Sequence, residues 1–262
     1  SDTCYRHPHR ESFALCQRCG RTICGECQIP AAVGAHCPDC VAASAPRAAS
    51  MTKRRSGAYR PAATYALLGV VGAVYAAQWL SGGTVTESLL YWPPLTAIEP
   101  WRMLTTVFVH STASLFHILF NGFSLYVLGT LVERLIGRGR FVTLFLLAGL
   151  GGSVAVLWLA PAVAVVGASG AIFGLFGALF VIQRSFGGAN VQLLIVLALN
   201  LVMGFIVPGI SWQAHIGGLV VGALVAWVMV ATRQSHQRAQ QVGLLVAVAG
   251  ALVALTALRL FA

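Results

Sequence analysis

The sequence predicts an all-α polytopic membrane protein preceded by a small metal-binding module, and three observations carry that prediction. Of 262 residues, 58% are hydrophobic and only 9% charged, where a soluble domain carries about 25% charged residues. The apolar residues gather in runs of about 20, the length an α-helix needs to cross a bilayer's hydrocarbon. All seven cysteines fall in the first forty positions, which sets that end apart from the rest. The net charge of +10 is divided into short clusters between apolar runs. That distribution suits membrane surfaces and argues against nucleic acid as a partner.

Residues 1–42 form the first expected domain. Four pairs sit at two-residue spacing: Cys4/His7, Cys16/Cys19, Cys24/Cys27 and Cys37/Cys40. Each pair can grip one tetrahedral zinc, so eight ligands make two closed structural sites with no position left for catalysis. The alternative is a disulfide framework, but the odd cysteine count, completed by His7, speaks against it. His9 and His36 are close enough to substitute as ligands but read as exposed polar residues. So small a core needs its metal to fold, and its expected role is to bind a cytosolic protein partner or to regulate the remainder. The polar, Cys-rich start is unlike a cleavable signal peptide.

Residues 43–60, rich in Ala, Ser and Pro and carrying Lys53-Arg54-Arg55, read as a basic flexible linker. That cluster and Arg60 precede the first apolar run, which places the N-terminus in the cytoplasm. From 61 to 262 the chain is a membrane domain, with spans expected near 62–80, 114–135, 141–160, 167–184, 190–207, 212–231 and 242–261. Arg134, Arg138 and Arg140, then Arg184, then Arg233 and Arg238 follow spans two, four and six. These are the inner loops if the chain starts inside, so hydropathy and charge agree and the C-terminus lies outside. Arg259 dissents mildly and can snorkel. The long outer loop 81–113 carries Tyr91-Trp92 and Trp101-Arg102, and its amphipathic aromatics are expected to rest at the membrane interface.

Strongly polar residues are costly in lipid and are functional candidates by default. The spans hold His117, Asn121, Ser169, Gln183, Asn200 and His215. By the topology above, His117, Asn121, Ser169 and His215 share one depth in the outer part of the bilayer. Gln183 falls at an inner end, and Asn200 reads as a helix–helix hydrogen-bonding residue. His215 shares a helix face with Gly218 and Gly222, and Ser169 adjoins Gly170 and Gly174. Small faces let two helices approach closely, which would bring the hydroxyl to an imidazole able to take its proton. Span residues include no acid to orient that ring, since Glu133 lies at the inner end, so a dyad is all the sequence offers. His117 and Asn121, four apart, lie on one face as donors for an oxyanion, joined by the Ser169 N–H at a helix start.

Trp101-Arg102, His117-x-x-x-Asn121, Gly167-x-Ser169-Gly170 with Gly174, and Ala214-His215-x-Gly217-Gly218 together resemble the rhomboid intramembrane serine proteases over about residues 60–262. The resemblance implies a six-helix bundle with a seventh C-terminal transmembrane helix, in the plasma membrane. In it Ser169 attacks, His215 serves as general base and acid, and His117, Asn121 and the Ser169 N–H form the oxyanion hole. Phe173 takes the place of the aromatic residue that packs on the imidazole, and Trp101-Arg102 that of a first-loop anchor. The implied substrates are transmembrane segments of other proteins, cut near the outer side, with no cofactor needed for catalysis. The N-terminal pattern resembles B-box-like cross-braced zinc fingers. That implies one zinc on Cys4, His7, Cys24 and Cys27 and another on Cys16, Cys19, Cys37 and Cys40, with sequential pairing as the alternative. Two other functions remain open at this point: a catalytically inactive rhomboid-like binder of membrane helices, and a zinc-regulated small-solute transporter. The transporter would call for inverted repeats, and no convincing repeat is present.

Overall fold

The computed structural model describes residues 3–31, 34–44, 60–187, 191–207 and 209–261. The Lys53-Arg54-Arg55 cluster lies outside the described residues. The chain divides into two compact units, Ser1–Ala58 and Tyr59–Ala262.

The first unit has little regular structure. Strands β1 (Ile29–Pro30) and β2 (Ala35–His36) pair antiparallel, and helix α1 spans Pro38–Ser44. Its buried cluster is Ile23 with six of the cysteines, while Cys19 is exposed. Among the described residues its buried cluster holds one aliphatic side chain, too little hydrophobic core to hold so small a unit by itself.

The second unit is helical. Helix α2 (Ala62–Leu80) leads into a loop containing α3 (Thr84–Leu89) and α4 (Arg102–Thr105). Next, α5 (Leu115–Ser124) runs through a π-helical turn into α6 (Thr130–Ile136). Helices α7 (Arg138–Leu159), α8 (Ser169–Ser185), α9 (Val191–Ile206), α10 (Trp212–Ala231) and α11 (Arg238–Phe261) follow. Among the described residues five runs are long and apolar enough to cross a membrane: α2, α5–α6, α7, α10 and α11 with the turn before it. Helices α8 and α9 are apolar but shorter, at 17 and 16 residues.

The centre of this unit is α7, α8 and α10, which pack against one another far more than any other helices. They do so backbone to backbone. A Cβ at Gly218 would overlap the Gly170 carbonyl, and one at Gly222 would overlap the Gly174 backbone. Gly151 and Gly152 of α7 make similar approaches to Gly217 and Ala214. By contrast α9 and α11 are largely exposed, and α11 is held by discrete bonds. Gln241 accepts from Arg140 of α7 (2.8 Å) and donates to the Thr232 hydroxyl (2.9 Å), and Trp158 donates to the Leu255 carbonyl (3.2 Å).

The loop 81–113 is an ordered anchor. Arg102, 7% exposed, pairs with Glu99 and donates to the carbonyls of Glu87 and Leu90 (3.1 Å to the latter). Trp101 is half exposed, so the anchor of the Trp-Arg pair is the guanidinium. Tyr91, expected at the interface, is instead fully buried. Its hydroxyl meets that of Thr96 (2.9 Å), and its backbone pairs with Val165 just ahead of α8. Trp92 keeps an exposed ring.

At the other end of the unit the basic clusters collect. Arg138 donates to the Arg60 carbonyl (3.2 Å), and Arg233 lies over Phe186 (6.0 Å to the ring centre). Beside Arg138 sits Glu133 (Nε to Oε1 3.7 Å), with no exposed surface. Helix α2 begins after Pro61, which offers no side-chain cap, so its first N–H groups need an acceptor from elsewhere. Glu133 supplies it, accepting from Ala63 N (3.1 Å), Thr64 N (2.7 Å) and the Thr64 hydroxyl (2.7 Å). Glu133→Ala strands these donors, at about 1–3 kcal/mol. Thermal unfolding in detergent should show Tm falling by several degrees, with Glu133→Gln falling less.

Candidate active site

Each residue of the site is placed by local backbone chemistry. Ser169 is the first residue of α8, so its N–H has no partner within the helix and points out of the end. Gly167 precedes it at φ +121°, a conformation that favours glycine. A Cβ there would also sit 2.7 Å from His117 Nε2, so His117 comes directly against the turn that presents Ser169. On α10, the Ser211 hydroxyl caps the helix by accepting from Ala214 N (3.3 Å), and His215 follows one residue later.

The Gly170–Gly218 contact then does what small faces promised. His215 Nε2 lies 2.9 Å from Ser169 Oγ. Phe173, one turn along α8 from the serine, stacks on the imidazole with ring centres 4.1 Å apart and planes 10° apart. His215 is 95% buried, and among the described residues its Nδ1 has no hydrogen-bonding partner. Gly204 of α9 covers that ring edge; a Cβ there would stand 3.2 Å from Nδ1.

His117 is oriented through a chain of bonds that starts in α2. Gln78 is buried and grips the His110 backbone at both ends, accepting from its N–H (3.1 Å) and donating to its carbonyl (2.8 Å). The next residue, Ser111, donates its N–H to His117 Nδ1 (3.1 Å). A backbone N–H can only donate, so Nδ1 is the bare nitrogen and neutral His117 carries its proton on Nε2, the atom facing the Gly167 turn. Asn121 donates to the His117 carbonyl (2.8 Å), leaving its buried Oδ1 without a partner among the described residues.

Ser169, His215, His117, Asn121 and Phe173 all line one cavity of about 1280 Å³. Its sides include exposed aromatics of α5 (Phe116 and Phe120) and of α9 (Phe205), and α5 and α9 make almost no direct contact. The cavity therefore lies between those two helices.

Sequence reasoning missed Gln78 and His110. Gln78 sits within an expected span and was visible as a lone amide. His110 lies between spans, where a histidine raises no alarm, yet it is fully buried beside His117, ring centres 5.2 Å apart. Asn200 does not bridge helices as expected; it donates to Val196 of its own helix (2.8 Å).

In the N-terminal unit the eight candidate ligands form two clusters, Cys4, His7, Cys24, Cys27 and Cys16, Cys19, Cys37, Cys40. This is the alternating grouping. His7 Nδ1 lies 3.8, 3.3 and 3.4 Å from the sulfurs of Cys4, Cys24 and Cys27, and Cys19 lies 3.7 Å from Cys37. A tetrahedron with arms of about 2.0–2.3 Å has edges of roughly 3.3–3.8 Å, so the donors stand where a zinc ion would hold them. Burial opposes ionisation of Cys4 and Cys16, but backbone N–H donors prevail and lower both thiols to about 6. Cys27 is pushed up to about 11 by burial and by its cysteine neighbours. Cys40 is pushed up to about 12, first by Cys37. Each cluster offers the sulfur-rich donor set that a tetrahedral zinc takes.

The fold and site thus define a polytopic helical bundle built around a serine–histidine pair in a cavity between helices. A family profile described as "Rhomboid domain" matches residues 97–232. Rhomboid protease GluP of Bacillus subtilis is 34% identical over 64% of this chain, and putative rhomboid protease YdcA of the same organism is 31% identical over 65%. RHOMBOID-like protein 6, mitochondrial, of Arabidopsis thaliana is 33% identical over 52%. The matched region spans about a third of GluP, nine-tenths of YdcA and just under half of the plant protein. The chain belongs to the rhomboid family.

If the glycine contact sets the pair's geometry, Gly218→Ala must separate Ser169 from His215. A displacement of that kind costs on the order of 10²-fold in reactivity, measurable as slower labelling of Ser169 by a fluorophosphonate. Gly243→Ala on exposed α11, where a Cβ meets nothing, should label like wild type.

Proposed function

We propose that this protein is an intramembrane serine protease that cuts transmembrane segments of other membrane proteins. The observation that carries the proposal is the 2.9 Å contact between Ser169 Oγ and His215 Nε2 inside a cavity walled by apolar helices. In this reading His215 Nε2 takes the hydroxyl proton as Oγ attacks the scissile carbonyl. The negative charge on the tetrahedral oxygen meets three donors: the Ser169 N–H at the helix start, the His117 Nε2–H and the Asn121 amide. His215 then passes its proton to the leaving amine, leaving an acyl group on Ser169. Water deprotonated by the same imidazole releases it. Phe173 fixes the ring plane, the task that a carboxylate performs in triads. No cofactor enters these steps.

The seven apolar helices are read as seven crossings, with the clustered arginines on the cytoplasmic side. The Ser169–His215 pair then lies toward the outer face, where substrates are cut, and the C-terminus is outside. In the N-terminal unit, Cys4, His7, Cys24 and Cys27 would hold one zinc and Cys16, Cys19, Cys37 and Cys40 another, in a B-box-like domain. Protein donors fill every corner, so both ions are structural. Such a domain in the cytoplasm suits a protein partner.

Ser169→Ala and His215→Ala should each abolish cleavage of a membrane-embedded substrate and fluorophosphonate labelling; retained cleavage in either would sink the dyad. Asn121→Ala should lose on the order of 10²–10³-fold in rate, as expected for one oxyanion donor. An inactive binder of membrane helices would leave the wild-type serine unlabelled. Separately, elemental analysis of the purified full chain should find two zinc ions per molecule, and protein with none would refute the metal assignment.

A further inference from the structure

Helix α9 carries only two polar side chains, Gln192 near its start and Asn200 in its middle. Asn200 lines the same cavity as Ser169 and His215. One amide hydrogen goes to the Val196 carbonyl of its own helix. Among the described residues its Oδ1 and second amide hydrogen have no partner, so it ties α9 to no neighbour. Leaving half a carboxamide unsatisfied at membrane depth is costly.

Depth can be read along the helices. Gly204 of α9 meets His215, and Asn200 is four residues earlier, about 6 Å nearer the arginine-rich end. Helix α5 runs the opposite way, and Ser124 follows Asn121 by three residues toward that same end. Ser124 also lines the cavity and likewise has no hydrogen-bonding partner among the described residues. The two walls that barely touch thus each present one polar group, one helical turn below the serine–histidine pair. Around them the walls are apolar: Phe120 on α5, Leu199 and Met203 on α9.

We propose that Asn200 and Ser124 form a polar subsite that selects substrate helices bearing a hydrogen-bonding side chain (Ser, Thr, Asn or Gln) about one turn from the cleaved bond toward the arginine-rich face. The proposal rests on the protease reading and names a substrate class for it. A substrate helix in the cavity bearing such a side chain would satisfy both groups, and an aliphatic side chain there would leave them bare. Specificity of this kind comes from the penalty on the wrong partner as much as from the bond to the right one.

The test uses the full chain in lipid vesicles with two single-span substrates. They are cut at the same bond and differ only by Thr or Val four residues from it toward the arginine-rich face. Wild type should prefer the Thr substrate in kcat/KM by roughly three- to thirtyfold, the range for one hydrogen bond between helices in lipid. The ratio should fall to about one in the Asn200→Leu, Ser124→Ala double variant and persist in Asn200→Gln. Because the readout is a ratio within each variant, loss of folded protein cancels. No preference in wild type, or a preference that survives the double variant, overturns the proposal while fluorophosphonate labelling and cleavage leave the protease reading standing. Wild-type protein that neither labels nor cleaves overturns both.

Discussion

Everything in the membrane unit depends on how closely α8 and α10 approach. In lipid, apolar side chains gain nothing by leaving hydrocarbon for protein, so helix association rests on van der Waals contact and on hydrogen bonds. Glycines at 170, 174, 218 and 222 let backbone meet backbone, leaving no room for even a Cβ. Ser169 and His215 are placed by that contact, because each sits beside one of those glycines. Helix α7 completes the arrangement through Gly151 and Gly152, which meet α10. The Ser169–His215 pair therefore sits where the helices pack most closely.

Polar groups do the remaining positioning, and each is spent on an unsatisfied backbone group. Glu133 caps α2, Arg102 gathers loop carbonyls, Gln78 holds His110, and Gln241 joins α11 to the turn after α10. In a low-dielectric surrounding these bonds are strong, and breaking one exposes a group that nothing else can satisfy. Of the two helices with largely exposed faces, α11 has such fastening through Gln241 and the Leu255 carbonyl. Helix α9 faces the imidazole through Gly204 and packs only lightly on α8 and α10.

The sequence made the site legible because lipid suppresses noise. Where nearly every residue is apolar, His117, Asn121, Ser169 and His215 stand out, and the arginine clusters assign them a common depth. The grouping of the eight Cys and His ligands was likewise an expectation drawn from spacing and resemblance. What escaped had a physical reason. Gln78 and Ser111 act through backbone groups of a loop, and no side-chain pattern marks such a bond. Tyr91 resembles an interfacial aromatic until its backbone pairing with Val165 is seen. Asn200 turns one amide hydrogen back to its own helix, an option available to any carboxamide and invisible to periodicity.

The stacked Phe173 and His215 rings carry one further consequence. A carboxylate partner would have placed a fixed charge at this depth, subject to the transmembrane voltage and to the ionic strength of the medium outside. Two flat rings held by contact carry none, so the imidazole's orientation is electrically silent. The resting pair then needs no fixed charge beside it to keep the ring in place.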